Sequence, residues 1–297
     1  MSTATLNVDG KTFTIQTVLP VPPSEDFLNQ LIQFTNEEKL ILVGLDIPIG
    51  LPIAYASKLG TSHFREFIGL LSTPEWKTFF SPAENASQIS LTRPFYPLRP
   101  GEARFTHLLQ GLGLQSRRDL FRKCELPTSN RKAASPLFWT MGAQQVGKAA
   151  LHAWKQLLIP ALAAPVPIHL WPFDGWLRSF STKMGIVFAE SYPTEYRAHF
   201  TENYHLTGGK RKTEFRRAFA EPLLNELERS SIFINPSLHG LIHSGFGNDP
   251  DDEDLFDSFI GLAGMLKALL SPSANPVTIT DEIQLIEGWI FGQDLLV

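Results

Sequence analysis

The chain has 297 residues, 43% hydrophobic and 19% charged, a balance that excludes a disordered or fibrous protein and supplies apolar material for a large core. Its 26 basic and 30 acidic side chains leave a net charge of -4, so a hold on a polyanion has to come from a local basic patch. The single cysteine, Cys124, excludes an internal disulfide and a cysteine-rich zinc site and suits a reducing, cytoplasmic compartment.

The N-terminal stretch lacks the basic and apolar regions of a signal peptide, and no apolar run approaches the ~18 residues of a membrane span, so no membrane association is expected. "TLNVDGKTFTIQTV" reads as two short strands turning at Asp9-Gly10, a strong hairpin signal. A helix is predicted from about Glu25 to Phe34 with Ser24 as its N-cap, then a strand, "ILVGLD", ending on Asp46. From about 53 to 164 the text is mainly helical, and Phe138, Met141, Val146, Ala150, Trp154 and Leu158 recur at helical spacing. "IHLWPF" and "GIVFAESYP" follow as buried strands. A helix near Glu214 to Arg229, a second one opening in "NDPDDEDLFDSF", and a β-like tail around "IEGWIF" complete the chain. This order predicts one α/β domain over 1–297, its sheet flanked by helices, with a helical insertion at about 53–164.

Ligands of such sheets sit beyond the carboxyl ends of strands, where Asp46 and Glu190 fall. Pro48 ends the first ladder and Gly50 permits a sharp reversal, leaving the Asp46 carboxylate at a strand mouth. An Asx-turn or a helix N-cap explains Asp46 equally well, and Glu190 has the same two readings. The acid run at Asp249, Asp251, Asp252, Glu253 and Asp254 fits the first turn of a helix, with Pro250 at its first position. Asp257 lies two turns in, on a stripe with Gly261, Gly264 and Ala268, small residues that allow close approach to a sheet. It is therefore expected to point inward, where a carboxylate calls for a cation or a basic partner. Asp46, Glu190 and Asp257 together would form an oxygen-only pocket suited to Mg²⁺ or Mn²⁺ and to phosphodiester hydrolysis. Basic runs at "GGKRKTEFRR", with Lys210, Arg211, Lys212, Arg216 and Arg217, and at "SRRDLFRKCELPTSNRK" offer local charge for a nucleic acid, or simply solvated helix faces.

In "GLDIPIGLP", "AESYPTEY", "GGKRK" and "DLFDSFIGLAG" the chain resembles the bacterial domain of unknown function 429 family, described as predicted nucleases with an RNase H-like fold. "ASPLFWTMGAQQVGKAA" and "LWPFDGW" resemble a subset of it. The resemblance covers nearly everything from Leu40 onward. It implies an RNase H-like mixed sheet, three antiparallel strands followed by parallel ones, with Asp46, Glu190 and Asp257 as metal ligands and catalytic residues and Asp254 as a fourth ligand. Lys210, Arg211 and Lys212 would contact phosphate. The sequence departs from that pattern at the first strand, whose Gly-x-Asp acid is not matched: Asp9 reads as a hairpin tip. Either an upstream strand is missing from this start or the chain is a non-catalytic scaffold that binds a partner or small ligand.

His239 and His243 have the i, i+4 spacing of a metal pair, but no acid lies between them and Gly240 and Gly245 weaken the helix. Trp139, Trp154, Trp171 and Trp176 read as core more readily than as base-stacking platforms.

Overall fold

A computed structural model describes residues 1–35, 40–97, 104–128, 131–141, 145–180, 184–200, 209–249, 252–270 and 280–293. In chain order its elements are β1 (Ser2–Leu6), β2 (Phe13–Val18), α1 (Ser24–Thr35), β3 (Leu40–Leu45), α2 (Ile53–Leu59), α3 (Phe64–Leu70), α4 (Phe105–Leu112), α5 (Val146–Ala153) and α6 (Ile159–Leu162). There follow β4 (Ile168–Leu170), α7 (Leu177–Phe180), β5 (Gly185–Glu190), α8 (Pro193–Tyr196), α9 (Thr213–Arg229), β6 (Ile232–Ile234), α10 (His239–His243) and α11 (Glu253–Leu270). Among the described residues no helix is long and apolar enough to cross a membrane.

The fold is mixed α/β. Asp9 sits at the tip of the β1–β2 hairpin, where its carboxylate accepts the backbone N–H groups of Lys11 and Thr12 at 2.9 and 3.0 Å. Those hydrogen bonds, that of Lys11 foremost, hold its carboxyl below the usual range, and Gly10 takes the left-handed conformation of the turn. β2 then pairs in parallel with β6, a strand that sequence patterning passes over because it is three residues long. A second sheet, in the order β3-β5-β4, is all parallel, and its central strand β5 is buried at every residue, as its unbroken apolar run requires.

The single sheet implied by the family resemblance is therefore two three-stranded sheets among the described residues. Helix α11 packs against β1, β2 and β6 of one and β3 of the other, and so lies across both. The two faces of the β3-β5-β4 sheet meet separate cores. Phe27, Leu28 and Leu31 of α1 lie with Val43, Ile186, Phe188 and the helices between Ile53 and Leu162 in one; Val187, Ala189 and α8, α9 and α11 form the other. The stripe of small residues on α11 is used differently from the expected approach to a sheet. A Cβ at Gly264 would overlap the Tyr196 ring and one at Gly261 would crowd Ser191 Oγ, so the close neighbour is α8 and the residue that leads into it. The tail around "IEGWIF" is not a strand. Ile283–Glu287 forms a π-helical turn, and Ile290 makes only an isolated parallel bridge to Glu190.

Candidate functional site

The turn after β3 is stitched down on every side except at Asp46. Ile49 N–H donates to Glu190 Oε2 at 2.8 Å, Leu51 N–H to Ile286 O at 2.9 Å, and Trp154 Nε1–H to Pro48 O at 2.8 Å. Gly50 has φ 135° and lies so close to the Glu287 carbonyl that no side chain fits. No hydrogen bond reaches the Asp46 carboxylate from the described residues, and the residue capping α2 is Pro52, so neither the Asx-turn nor the N-cap reading of Asp46 is realised. An Asx-turn would need the N–H of residue 48, which is a proline, and the next N–H, that of Ile49, is taken by Glu190.

Asp46 is open to solvent, yet it sits in a recess with protein mass around it. Its carboxyl is pushed up to about 7, first by burial, then by the charge of Asp257, with Glu190 and Asp254 adding to the rise and Lys210 opposing it. The β3–β5 register puts both acids at the same end of the sheet: Glu190 pairs with Leu45, and Asp46 is the next residue beyond that pair. Helix α11 brings the others, anchored where Met265 lies over Gly44 and Gly261 meets Ser191.

Glu190 does not face Asp46 as a free ligand. Its two oxygens take a bidentate pair of hydrogen bonds from Arg122 Nη1 and Nη2, both 2.7 Å. Arg122 is fully buried; its Nε donates to Glu125 Oε1 at 2.9 Å, and Nη1 also reaches the carbonyls of Ile49 and Glu287 at 3.1 Å each. Glu190 is thus the counter-ion of a guanidinium that ties the segment around Arg122 to the mouth of the sheet. Asp257 points inward as expected, with 15% of its side chain exposed, and is met by the ammonium of Lys210. Burial raises its carboxyl, and Lys210 opposes the rise. Asp254 stays exposed one turn earlier, and Arg211 Nε lies 3.5 Å from Glu253 Oε1.

The acids of this recess offer oxygen donors, a chemistry that suits Mg²⁺ or Mn²⁺, and the Lys210 ammonium lies among them. Among the described residues no three acidic, His or Cys side chains form a metal-holding group, so the expected set Asp46, Glu190, Asp254 and Asp257 is not one coordination sphere. Asp46 and Asp257 act on one another electrostatically, and Mg²⁺ is commonly held by one or two carboxylates with waters and phosphate oxygens completing its shell. Of the expected phosphate contacts, Arg211 and Lys212 are exposed at the start of α9 and Lys210 is engaged by Asp257.

Several expectations change with burial. Arg122, Arg131 and Arg216, read from sequence as parts of basic patches, are buried and bonded. Arg131 pairs with buried Glu195 and donates to Cys124 O. Arg216 donates to the carbonyls of Lys210, Gly245 and Gly247. The signal for Arg122 was its apolar company, Leu120, Phe121 and Cys124, together with Glu125 three residues on. Burial pushes the Cys124 thiol up, which makes it inert. Trp154 and Trp171 are core residues. His239 and His243 stack at the surface, where His243 Nδ1 lies 3.6 Å from Glu221, and form no metal group. Pro250 and Asp251 of the acid run lie outside the described residues. No family model, no curated protein and no solved structure matches the chain.

Proposed function

We propose that the protein is a divalent-metal-dependent phosphodiesterase acting on nucleic acid, with Asp46 and Asp257 holding one Mg²⁺ or Mn²⁺. The observation that carries this reading is the solvent-open Asp46 carboxylate at the mouth of β3, free of hydrogen bonds from the described residues and within electrostatic reach of Asp257, Asp254 and Glu190. Acids gathered in this way repel one another, and a divalent cation relieves the repulsion. When bound, such an ion polarises a phosphoryl oxygen and makes a water nucleophilic near neutral pH.

The chain's own residues supply the rest. Asp46 and Asp257 orient the ion from a strand end and a helix, both backed by packed core. Arg122 and Glu190 hold the turn at Ile49 in place and thereby the direction in which Asp46 faces. Arg211 and Lys212 draw the phosphate backbone toward the recess. On this reading the chain belongs with the RNase H-like domain of unknown function 429 proteins and works in the cytoplasm. The antiparallel β1–β2 hairpin, the parallel β3 and β5 with acids at their ends, and α11 laid across both sheets support that placement.

Incubation with single-stranded, duplex and branched DNA and RNA in Mn²⁺ tests the activity. Cleavage that disappears in Asp46→Asn and Asp257→Asn is the expected outcome; no cleavage, or cleavage that survives Asp257→Asn, rules it out. A second reading, a scaffold of the same fold that binds a partner without chemistry, is favoured by the engagement of Glu190 with Arg122 and of Asp257 with Lys210. Calorimetric titration with Mn²⁺ separates the two, since a scaffold of this kind gives no heat.

A further inference from the structure

We propose that Lys210 is a built-in cation of the acid recess: its ammonium occupies Asp257 in the metal-free protein and must be displaced for a divalent ion to enter. The inference rests on the reading of Asp46 and Asp257 as the ligands of that ion, and it adds a device that sets the ion's affinity.

The backbone of Lys210 is held in a turn, and its side chain reaches from it to Asp257. Its carbonyl accepts a 2.8 Å hydrogen bond from Arg216 Nη1, and Lys212 N–H donates to Gly209 O at 2.9 Å across the same turn. Arg216 is fully buried on α9 and also donates to the carbonyls of Gly245 and Gly247, so the turn before α9 and the loop before α11 are clamped by one guanidinium. From this fixed point the Lys210 side chain, 34% exposed, reaches Asp257, which is 15% exposed. Its flexible four-carbon stem can swing the charge back into water without moving the turn.

The charges around it make the ammonium more than a surface ion pair. Asp257 is the direct partner, Asp46 and Asp254 lie near it, and Arg211 is turned to Glu253. Without Lys210 the direct counter-ion of Asp257 would be gone and, among the described residues, the charge of Arg197 would remain to offset the acids, a condition that favours a divalent ion more strongly. With Lys210 in place, an arriving ion meets a like charge on the oxygen it needs. The same lysine is thereby released toward solvent when the ion binds, close to the exposed Arg211 and Lys212, where it can meet a phosphate.

The test is Mn²⁺ binding to the full chain, read by calorimetry and by the electron-spin signal of free Mn²⁺, with no substrate present. Lys210→Met should bind Mn²⁺ about tenfold more tightly than the wild type, whereas Lys210→Arg, which keeps the charge, should show no gain. The metal-free Lys210→Met protein should also melt below the wild type and gain more from added Mn²⁺, because Asp257 has lost its counter-ion. If Lys210→Met does not fold, Lys210→Gln, whose amide can still donate to Asp257, replaces it with the same expectation. Equal or weaker Mn²⁺ binding by the uncharged variants overturns the role of Lys210 and leaves the ligand assignment standing. Absence of binding in the wild type and in the uncharged variants alike overturns both.

Discussion

Replacing Arg122 by Met keeps most of the side-chain volume and removes a charge that the interior is built around. The guanidinium makes five hydrogen bonds, two to Glu190 and one each to Glu125, Ile49 O and Glu287 O, and none of its surface is exposed. Glu125 and the Glu190 side chain are 2% and 7% exposed, so neither can recover its loss from water. Stranding one member of a buried pair costs about 3–5 kcal/mol, and this variant strands two carboxylates. With an unfolding entropy of about 2.1 cal/mol/K per residue, one stranded carboxylate alone should lower the melting temperature of the 297-residue chain by roughly 5–8 °C, and the second should add to that.

Thermal and urea unfolding followed by circular dichroism measure the loss. The double variant Arg122→Met/Glu190→Gln is the sharper probe, because neutralising the abandoned acid should return part of the stability that Arg122→Met alone removes. A single-variant loss under about 1 kcal/mol, or a double variant less stable than the simple sum of the two, would refute the assignment of Glu190 as the counter-ion of Arg122.

Three further outcomes are expected. Because the folded state holds the Asp46 carboxyl up to about 7, the metal-free protein binds an extra proton there; the contribution of this group to stability is fully present below the ordinary carboxylate range and is lost as pH rises from about 4 to 7. Asp46→Asn should flatten this decline by roughly 1 kcal/mol once solvent screening of the open carboxylate is allowed for, and parallel urea-midpoint curves against pH in a chelator would contradict it. Gly264→Val places a side chain in the Tyr196 ring and should destabilise by about 2–3 kcal/mol in urea titration, whereas Gly69→Val, in helix α3 with open space around it, should leave stability unchanged or slightly raised. Arg211→Ala/Lys212→Ala should leave the melting temperature within about 1 °C of wild type, since both side chains are exposed, and should weaken nucleic-acid binding with a shallower salt dependence in fluorescence anisotropy.

Local patterning made the hairpin at Asp9, the unbroken apolar strand β5 and the long helices α9 and α11 legible, because each obeys a period or a turn rule within its own residues. The split into two sheets was not legible. It turns on β6, three residues that pair with β2 across more than two hundred positions, a choice set by tertiary packing alone. The acids at the strand mouth could be found from sequence, since an Asp after four apolar residues and a lone Asp two turns into a helix are both out of place. Their partners could not. Arg122 and Lys210 stand in basic runs that look alike on paper, and only the fold buries the first against Glu190 and sets the second, partly exposed, on Asp257. Gly264 carried the right message about close approach, but the neighbour it admits is Tyr196 rather than a strand.

Diffraction from crystals soaked in Mn²⁺, recorded at a wavelength where manganese scatters anomalously, locates the ion without assuming any reaction. A single peak within about 2.2 Å of oxygens from both Asp46 and Asp257, with Lys210 turned to solvent and Glu190 still on Arg122, is the predicted result. A map with no peak in the recess, or one in which the ion sits elsewhere while Lys210 stays on Asp257, would contradict it.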